Sequence, residues 1–170
     1  MSSGPENRFI ASIHRLLPTT LHWEKMHNQY RGGTADVWYS GWKRDLWVEY
    51  KFVDKIPRVG CIIPDCTELQ KEWLRDRHAE GRRVYVLVGH PKGGVLFVTP
   101  AEWEEGLGVL QSGREMTKQE IVSWLVFQAT GVKDAQKTIA VRAKRGQRIQ
   151  NHSNRISDLR AGKVSHNGKE

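Results

Sequence analysis

Along this chain the spacing of apolar residues changes period repeatedly, and each change predicts an element. From Pro5 to Leu17 the residues Phe9, Ile10, Ile13, Leu16 and Leu17 recur at helical spacing. Ser3 and Glu6 are spaced as a capping box, Pro5 suits a first turn, and Pro18 stops the helix. Leu21 to Met26 alternates as a strand, with Leu21 and Trp23 on one face. Ala35–Ser40 and Leu46–Phe52 are rich in Val, Trp, Tyr and Leu, which suit a pleated surface, and Gly41–Arg44 joins them as a loop of about four residues. Val53 to Cys66 contains Pro57, Gly60 and Pro64 and reads as a loop, one able to move over a substrate. Thr67 to Glu80 reads as a helix with a Thr67–Gln70 capping box, an apolar side of Leu69, Trp73 and Leu74, and Gly81 at its end. Arg83–Val88 is a strongly apolar strand suited to the middle of a sheet, His90 to Gly94 turns the chain, and Val95–Val98 is a further strand.

Two helices are expected after that. Pro100–Leu107 is short. Thr117–Ala129 carries a Thr117–Glu120 box, a face of Ile121, Trp124, Leu125 and Gln128, and Gly131 as its stop. Lys133–Arg145 reads as a basic helix, and the polar run beyond Gly146 as flexible chain. No internal repeat is visible. Helix, three strands, helix, strand is the order of an α/β domain with a mixed central sheet flanked by helices. The expected division is a core over residues 1–110, a helical extension over 111–146 and a basic tail over 147–170.

Spacing within the Tyr30–Lys51 stretch makes a chemical prediction. If Ser40 pairs with Asp45, then Trp38 opposes Trp47 and Asp36 opposes Glu49. Side chains alternate along a strand, so Glu49 and Lys51 share a face. Directly opposed Cβ atoms lie roughly 4.5–5.5 Å apart, which brings two carboxylates and an ammonium to one patch. Two carboxylates that close repel unless a cation lies between them. Oxygen-only ligands suit Mg²⁺ or Mn²⁺ better than zinc, and such an ion can activate a water and hold a phosphate oxygen. The bland alternative is an ordinary charged strand face. His22, Glu24 and His27, close in sequence, read as solvated side chains.

Composition adds limits. No apolar run approaches the roughly 20 residues needed to cross a membrane, and the N-terminus lacks an apolar signal segment, so a soluble cytoplasmic protein is expected. Cys61 and Cys66 are the two cysteines; no second pair completes a zinc site, and reduced thiols in a loop are the expectation. The net charge of +8 is concentrated at the C-terminal end. From Lys133 onward ten Lys or Arg face three acids, a net of +7, which leaves +1 for everything before it. Such a tail either stays solvated or orders on nucleic acid, through contacts that are mainly to phosphate and weaken with salt.

Gly33-x-x-Asp36, then Glu49-x-Lys51, then Leu69-Gln70 opening a helix resembles the PD-(D/E)XK nuclease superfamily. Within it the set is most similar to the virus-type replication-repair nuclease (VRR-NUC) branch and the small Holliday-junction resolvases. The likeness covers residues 6–98, and Thr34-Ala35-Asp36 lacks the proline of that branch's first motif. The resemblance implies a restriction-endonuclease-like fold and a metal-dependent endonuclease on DNA, selective for branched forms such as Holliday junctions or flaps. It implies a bacterial or phage setting and, as in many resolvases, a homodimer.

Residue by residue, the resemblance implies that Asp36 and Glu49 hold Mg²⁺ or Mn²⁺ with the Tyr50 carbonyl and Glu6. Lys51 acts on the attacking water, and Gln70 supports the site. Glu6 and Gln70 each keep a second reading, as helix caps only. Arg31, Lys43 and Arg44, with Arg142, Lys144, Arg145 and Arg148 of the tail, are the expected phosphate contacts. A catalytically inactive nucleic-acid-binding or structural phage protein on the same fold is the alternative. No base-reading motif separates DNA from RNA.

Overall fold

The computed structural model describes residues 4–26, 32–109 and 114–132. Ser3, His27, Arg31, the basic helix expected from Lys133, and Arg142, Lys144, Arg145 and Arg148 lie outside them. In chain order the elements are α1 (Pro5–His14), β1 (His22–Lys25), β2 (Val37–Ser40), β3 (Asp45–Phe52), β4 (Cys61–Ile62), α2 (Glu68–Ala79), β5 (Val84–His90), β6 (Gly93–Phe97), α3 (Pro100–Glu105), β7 (Leu107–Gly108), β8 (Glu115–Thr117) and α4 (Lys118–Thr130). Six strands form one sheet in the order β1-β2-β3-β5-β6-β8, and β4 pairs with β7 separately. Within the six-stranded sheet β3 and β5 run parallel, and the other neighbours are antiparallel. This is a mixed α/β architecture with helices on both faces of a central sheet, as the sequence predicts.

The hairpin register is also the predicted one, with Ser40 opposite Asp45 and Trp38 opposite Trp47. β5 lies between β3 and β6 and is buried along its whole length, which explains its unbroken apolar run. One face of the sheet packs Val37, Tyr39, Val48, Tyr50 and Leu87 against Phe9, Ile10 and Ile13 of α1 and Ile121, Val122, Leu125 and Val126 of α4. The opposite face packs Val84, Val86, Val95 and Phe97 against Leu74 of α2 and Trp103 of α3. Burying Leu74 completely stabilises the fold by about 1.5–3 kcal/mol, and it fixes the helix turn that begins at Gln70.

Several expectations need correction. α1 ends at His14 rather than Leu17, because the Leu16 and Leu17 amides bond three residues back in a tightened final turn. Its N-cap is Gly4, which makes no side-chain capping bond; Ser3, the other half of the expected capping box, lies outside the described residues. Leu69 is 59% exposed rather than part of the apolar side; among the three residues named for that side only Leu74 is fully buried. Residues 53–66 are not loop throughout, since Cys61–Ile62 pairs with Leu107–Gly108. That pairing also takes Leu107 out of α3. On α4 the buried face is Ile121, Val122, Leu125, Val126 and Ala129, while the half-exposed Gln128 bonds Arg83 instead. α4 thus supplies much of one side of the core. No helix among the described residues is long and apolar enough to cross a membrane.

Candidate metal and catalytic site

Alternation on β3 puts Glu49 and Lys51 on the α2 face of the sheet, beside Val86 and Val88 of β5. The β2–β3 ladder ends at Val37 and Val48, one step short of Asp36. Asp36 is held there by two other bonds. Its Oδ2 accepts from the Tyr50 amide at 2.8 Å, and its carbonyl accepts from the Met26 amide at 2.7 Å. The approach to Asp36 depends on Gly33, whose φ is +96° and where a Cβ would lie 2.3 Å from the Leu69 carbonyl oxygen. Only glycine lets this segment cross the first turn of α2. The Gly-Gly of the first motif therefore ties Asp36 to the helix that carries Gln70.

Gln70 holds both roles that the sequence left as alternatives. Its Oε1 accepts from the Thr67 amide at 2.9 Å while its own amide donates to Thr67 Oγ1 at 3.3 Å, completing the capping box. The same Oε1 accepts from Lys51 Nζ at 3.1 Å, and Nε2 donates to Glu49 Oε1. Lys51 Nζ also pairs with Glu49 Oε1 at 2.9 Å. One side chain thus starts a helix and locks the carboxylate–ammonium pair.

This arrangement separates the two roles experimentally. Gln70→Ala is expected to lose about 0.3–1.5 kcal/mol of stability from the cap and about 10–100-fold in divalent-metal affinity, the usual cost of removing a group that orients a ligand. Gln70→Glu keeps an acceptor for the Thr67 amide but cannot donate to Glu49, so it should recover the helix start and not the affinity. Denaturant midpoints and Mn²⁺ titrations on the two variants check this; unchanged affinity in both would leave Gln70 a cap alone.

Burial works against the charged form of each carboxylate in this cluster, and repulsion from Asp36 adds to it at Glu49 and Glu6. Burial, then the charge of Asp36, pushes Glu49 up to about 7 against the opposing pull of Lys51. Burial raises Asp36 as well, despite the Tyr50 amide and Lys51. Glu6, in the first turn of α1, is raised by burial and by Asp36, which places its charge within reach of the same cluster. Burial works against the Lys51 ammonium, but the charge and hydrogen bond of Glu49 outweigh it, and its pKa is raised.

A divalent ion would suit this donor set. Glu49 Oε2 is buried and has no hydrogen-bond partner among the described residues. A carboxylate oxygen left so costs free energy unless a cation or donor satisfies it. No group of three or more His, Cys, Asp or Glu among the described residues is placed to hold a metal on its own. Asp36 and Glu49 would therefore be the side-chain ligands, with backbone, solvent or substrate oxygens completing the shell.

Lys43 and Arg44 lie in the hairpin loop, where both amides reach the Ala129 carbonyl at 3.2 Å. At about 3.3 Å per residue the loop end of β3 at Asp45 is about 13 Å from Glu49, so the structure does not bring these two cations to the carboxylates. His22 and Glu24 are exposed. Cys61 is exposed and Cys66 buried, both as free thiols.

Sequence reasoning passed over Lys25, whose charge acts on both Glu6 and Asp36. Its signal is positional: once β1 pairs with β2, Lys25 stands opposite Val37, next to Asp36. It also passed over a buried chain in which His14 Nε2 bonds Tyr39 Oη at 2.8 Å and Tyr39 Oη bonds Tyr50 Oη at 2.6 Å.

The fold and site thus define a mixed α/β protein with an acid–acid–lysine cluster on its central hairpin. No protein-family model matches the sequence, and no curated protein matches it. Among solved structures the chain is similar to Hjc, a Holliday junction resolvase from the archaeal hyperthermophile Archaeoglobus fulgidus. The likeness is at 14% identity with a TM-score of 0.44, and it covers 68% of this chain and 98% of that one.

Proposed function

We propose that this protein is a divalent-metal-dependent endonuclease of the PD-(D/E)XK type that hydrolyses phosphodiester bonds in branched DNA. The observation that carries the reading is the buried Glu49 carboxylate with an unpartnered oxygen, beside Asp36 and locked by Lys51 and Gln70. Burying two carboxylates together is unfavourable in a metal-free protein, and a structural role would be served better by apolar residues. A Mg²⁺ or Mn²⁺ ion held by Asp36 and Glu49 would neutralise the phosphodiester and lower the pKa of an attacking water. Lys51, fixed by Glu49 and Gln70, orients that water or stabilises the charge that develops on the phosphate. The hairpin, α1 and α2 hold these groups on rigid elements. Selectivity for Holliday junctions or flaps and a homodimer with two sites for two strands rest on the motif resemblance.

The test is incubation of the purified protein with linear, flapped and four-way DNA, each in Mg²⁺, in Mn²⁺ and in EDTA. Metal-dependent cleavage that favours branched forms supports the reading. No cleavage of any form would leave the nucleic-acid-binding alternative standing.

Residues before Lys133 carry a net charge of only +1, against +7 beyond it. Affinity is therefore assigned to the tail and chemistry to the core. Truncation after Gly131 is expected to weaken binding to every DNA form. The log–log salt slope should flatten by about 0.9 for each phosphate that the shortened chain no longer neutralises. Cleavage at low salt and high enzyme should persist. An unchanged salt slope would show that the tail is not a DNA-binding arm.

A further inference from the structure

On the α1 face of the sheet, α1 and β1 line an open cavity of about 410 Å³. One wall is Trp23, 40% exposed, its ring stacked on His14 at 3.8 Å between centroids and tilted by 36°. His14 is fixed from behind by the Tyr39–Tyr50 hydroxyl chain, and burial pushes its pKa down to about 4, so it presents a neutral ring near pH 7. Arg15 and Lys25 supply positive charge at the lining and Asn7 an amide; no carboxylate lines it.

An apolar slot with a rigid aromatic wall and two cations suits a flat ring that carries an anion, which is the chemistry of a nucleotide. A second cavity, of about 540 Å³ beside α2, sets Glu72 and Asp76 against the one cation Arg77 in its lining and so suits a phosphodiester less well.

The first cavity adjoins the carboxylate cluster. Lys25 stands opposite Val37, the residue after Asp36, and bonds Asn7, the residue after Glu6. The next residue, Met26, donates its amide to the Asp36 carbonyl. Lys25 thus connects the cavity, on the α1 face, to Asp36 and Glu6 of the cluster, whose Glu49 and Lys51 lie on the α2 face. In a duplex the bases stay stacked and paired; only an unpaired or extruded base can enter.

We infer that the Trp23–His14 cavity binds an unpaired or extruded base of the DNA strand close to the cleaved phosphodiester, so that the substrate is a branch whose bases are unpaired or can leave the stack at the cleavage site. This rests on the nuclease reading above and deepens it, because it names the feature of branched DNA that is recognised.

The test is binding by the full chain in EDTA, with fluorescence anisotropy of a short labelled oligothymidylate and of a fully paired duplex. Trp23→Ala should weaken oligothymidylate binding by about 5- to 150-fold, the fold-change equivalent to losing one stacked base. Its duplex affinity should not change, and Trp23→Phe should keep most of both. Photocrosslinking of the wild-type protein to an iodouracil-substituted oligonucleotide provides a readout that does not depend on how the variants fold. Adducts on Trp23 or His14 support the inference, and adducts only elsewhere overturn it. Equal losses on single strand and duplex in Trp23→Ala, or no loss, also overturn it. A wild type that cleaves flaps but binds oligothymidylate independently of Trp23 sinks the cavity and leaves the nuclease reading. A wild type that binds through Trp23 and cleaves nothing does the reverse.

Discussion

Lys51→Ala is expected to lower the single-turnover cleavage rate of four-way DNA by about 10²–10³-fold, the range observed when a group aimed at transition-state charge is removed. Its ammonium is half-buried, paired with Glu49 at 2.9 Å and bonded to Gln70 at 3.1 Å, and its raised pKa keeps it charged across the working range. A lysine whose role was solubility would sit in water with its stem free. Removing it should leave Asp36 and Glu49 in place, so metal-induced stabilisation should survive while turnover is lost. Lys51→Arg should restore the charge but little of the rate, because a planar guanidinium does not occupy the same point between Glu49 and Gln70. Steady-state rates with metal titrated in each variant separate the two effects. An active Lys51→Ala enzyme would leave Lys51 with a structural role only.

The second large effect is on stability, and its sign follows from Glu49. The folded-state pKa of about 7 lies above the ordinary value of 4.5. Below the lower value both states hold the proton and the native protein is unpenalised. Between the two values the folded protein keeps a proton that the unfolded chain has released, so stability falls as pH rises through this window. Above pH 7 the cost of a bare, buried carboxylate reaches roughly 3 kcal/mol. For a chain of this size that corresponds to a Tm about 6–12 °C lower at pH 8 than near pH 5 from this group.

On the proposed reading a divalent ion would bind the deprotonated site of the folded protein alone and offset the loss by mass action. Mg²⁺ or Mn²⁺ should therefore raise Tm at pH 8 and do little near pH 5. Glu49→Gln should remove the metal response and this group's share of the pH slope, leaving the contributions of Asp36 and Glu6. Scanning fluorimetry across pH with Mg²⁺, with Mn²⁺ and with EDTA measures both. A Tm insensitive to metal at pH 8 would mean that the carboxylate pair does not hold an ion.

The parts of the molecule legible in the sequence are those where one local rule dominates. Alternation of bulky residues around Gly41–Arg44 gave the hairpin loop and register directly, because a one-residue slip would reverse every side chain on both strands. The capping boxes at Thr67 and Thr117 marked two helix starts. The run Val84–Val88 marked the central strand.

What was not legible depends on contacts distant in sequence. β4, β7 and β8 have two or three residues each, too few to show a period. Gly93 and Gly94 read as turn residues but belong to β6; a Cβ at Gly93 would lie 2.0 Å from the Met116 carbonyl oxygen, so the glycine serves the close approach of β8.

At the site, spacing predicted that Glu49 and Lys51 share a face and that Asp36 comes near. It did not show that Asp36 is held by the Tyr50 and Met26 amides, or that Gln70 reaches both Glu49 and Lys51. The Asp36 bonds follow from how β1, β2 and β3 meet beyond the end of the hairpin ladder, and the Gln70 bonds from where α2 lands on the sheet, which Leu74 and Gly33 decide. The roles of Lys25 and His14 are not visible in the sequence for the same reason: they arise when α1 and β1 pack together.

The most direct test of the central claim is the single-turnover cleavage of four-way DNA by wild-type protein and by Asp36→Asn, each in Mg²⁺ and in EDTA, with binding measured on the same substrate. Asp36→Asn keeps an oxygen for the Tyr50 amide while removing the charge needed for an ion. Wild type is expected to cleave in Mg²⁺ and not in EDTA. Asp36→Asn should cleave in neither, remain folded, and bind the DNA as well as wild type or better, since a repulsive carboxylate has gone. Cleavage by Asp36→Asn at the wild-type rate, or wild-type cleavage that persists in EDTA, would contradict that claim.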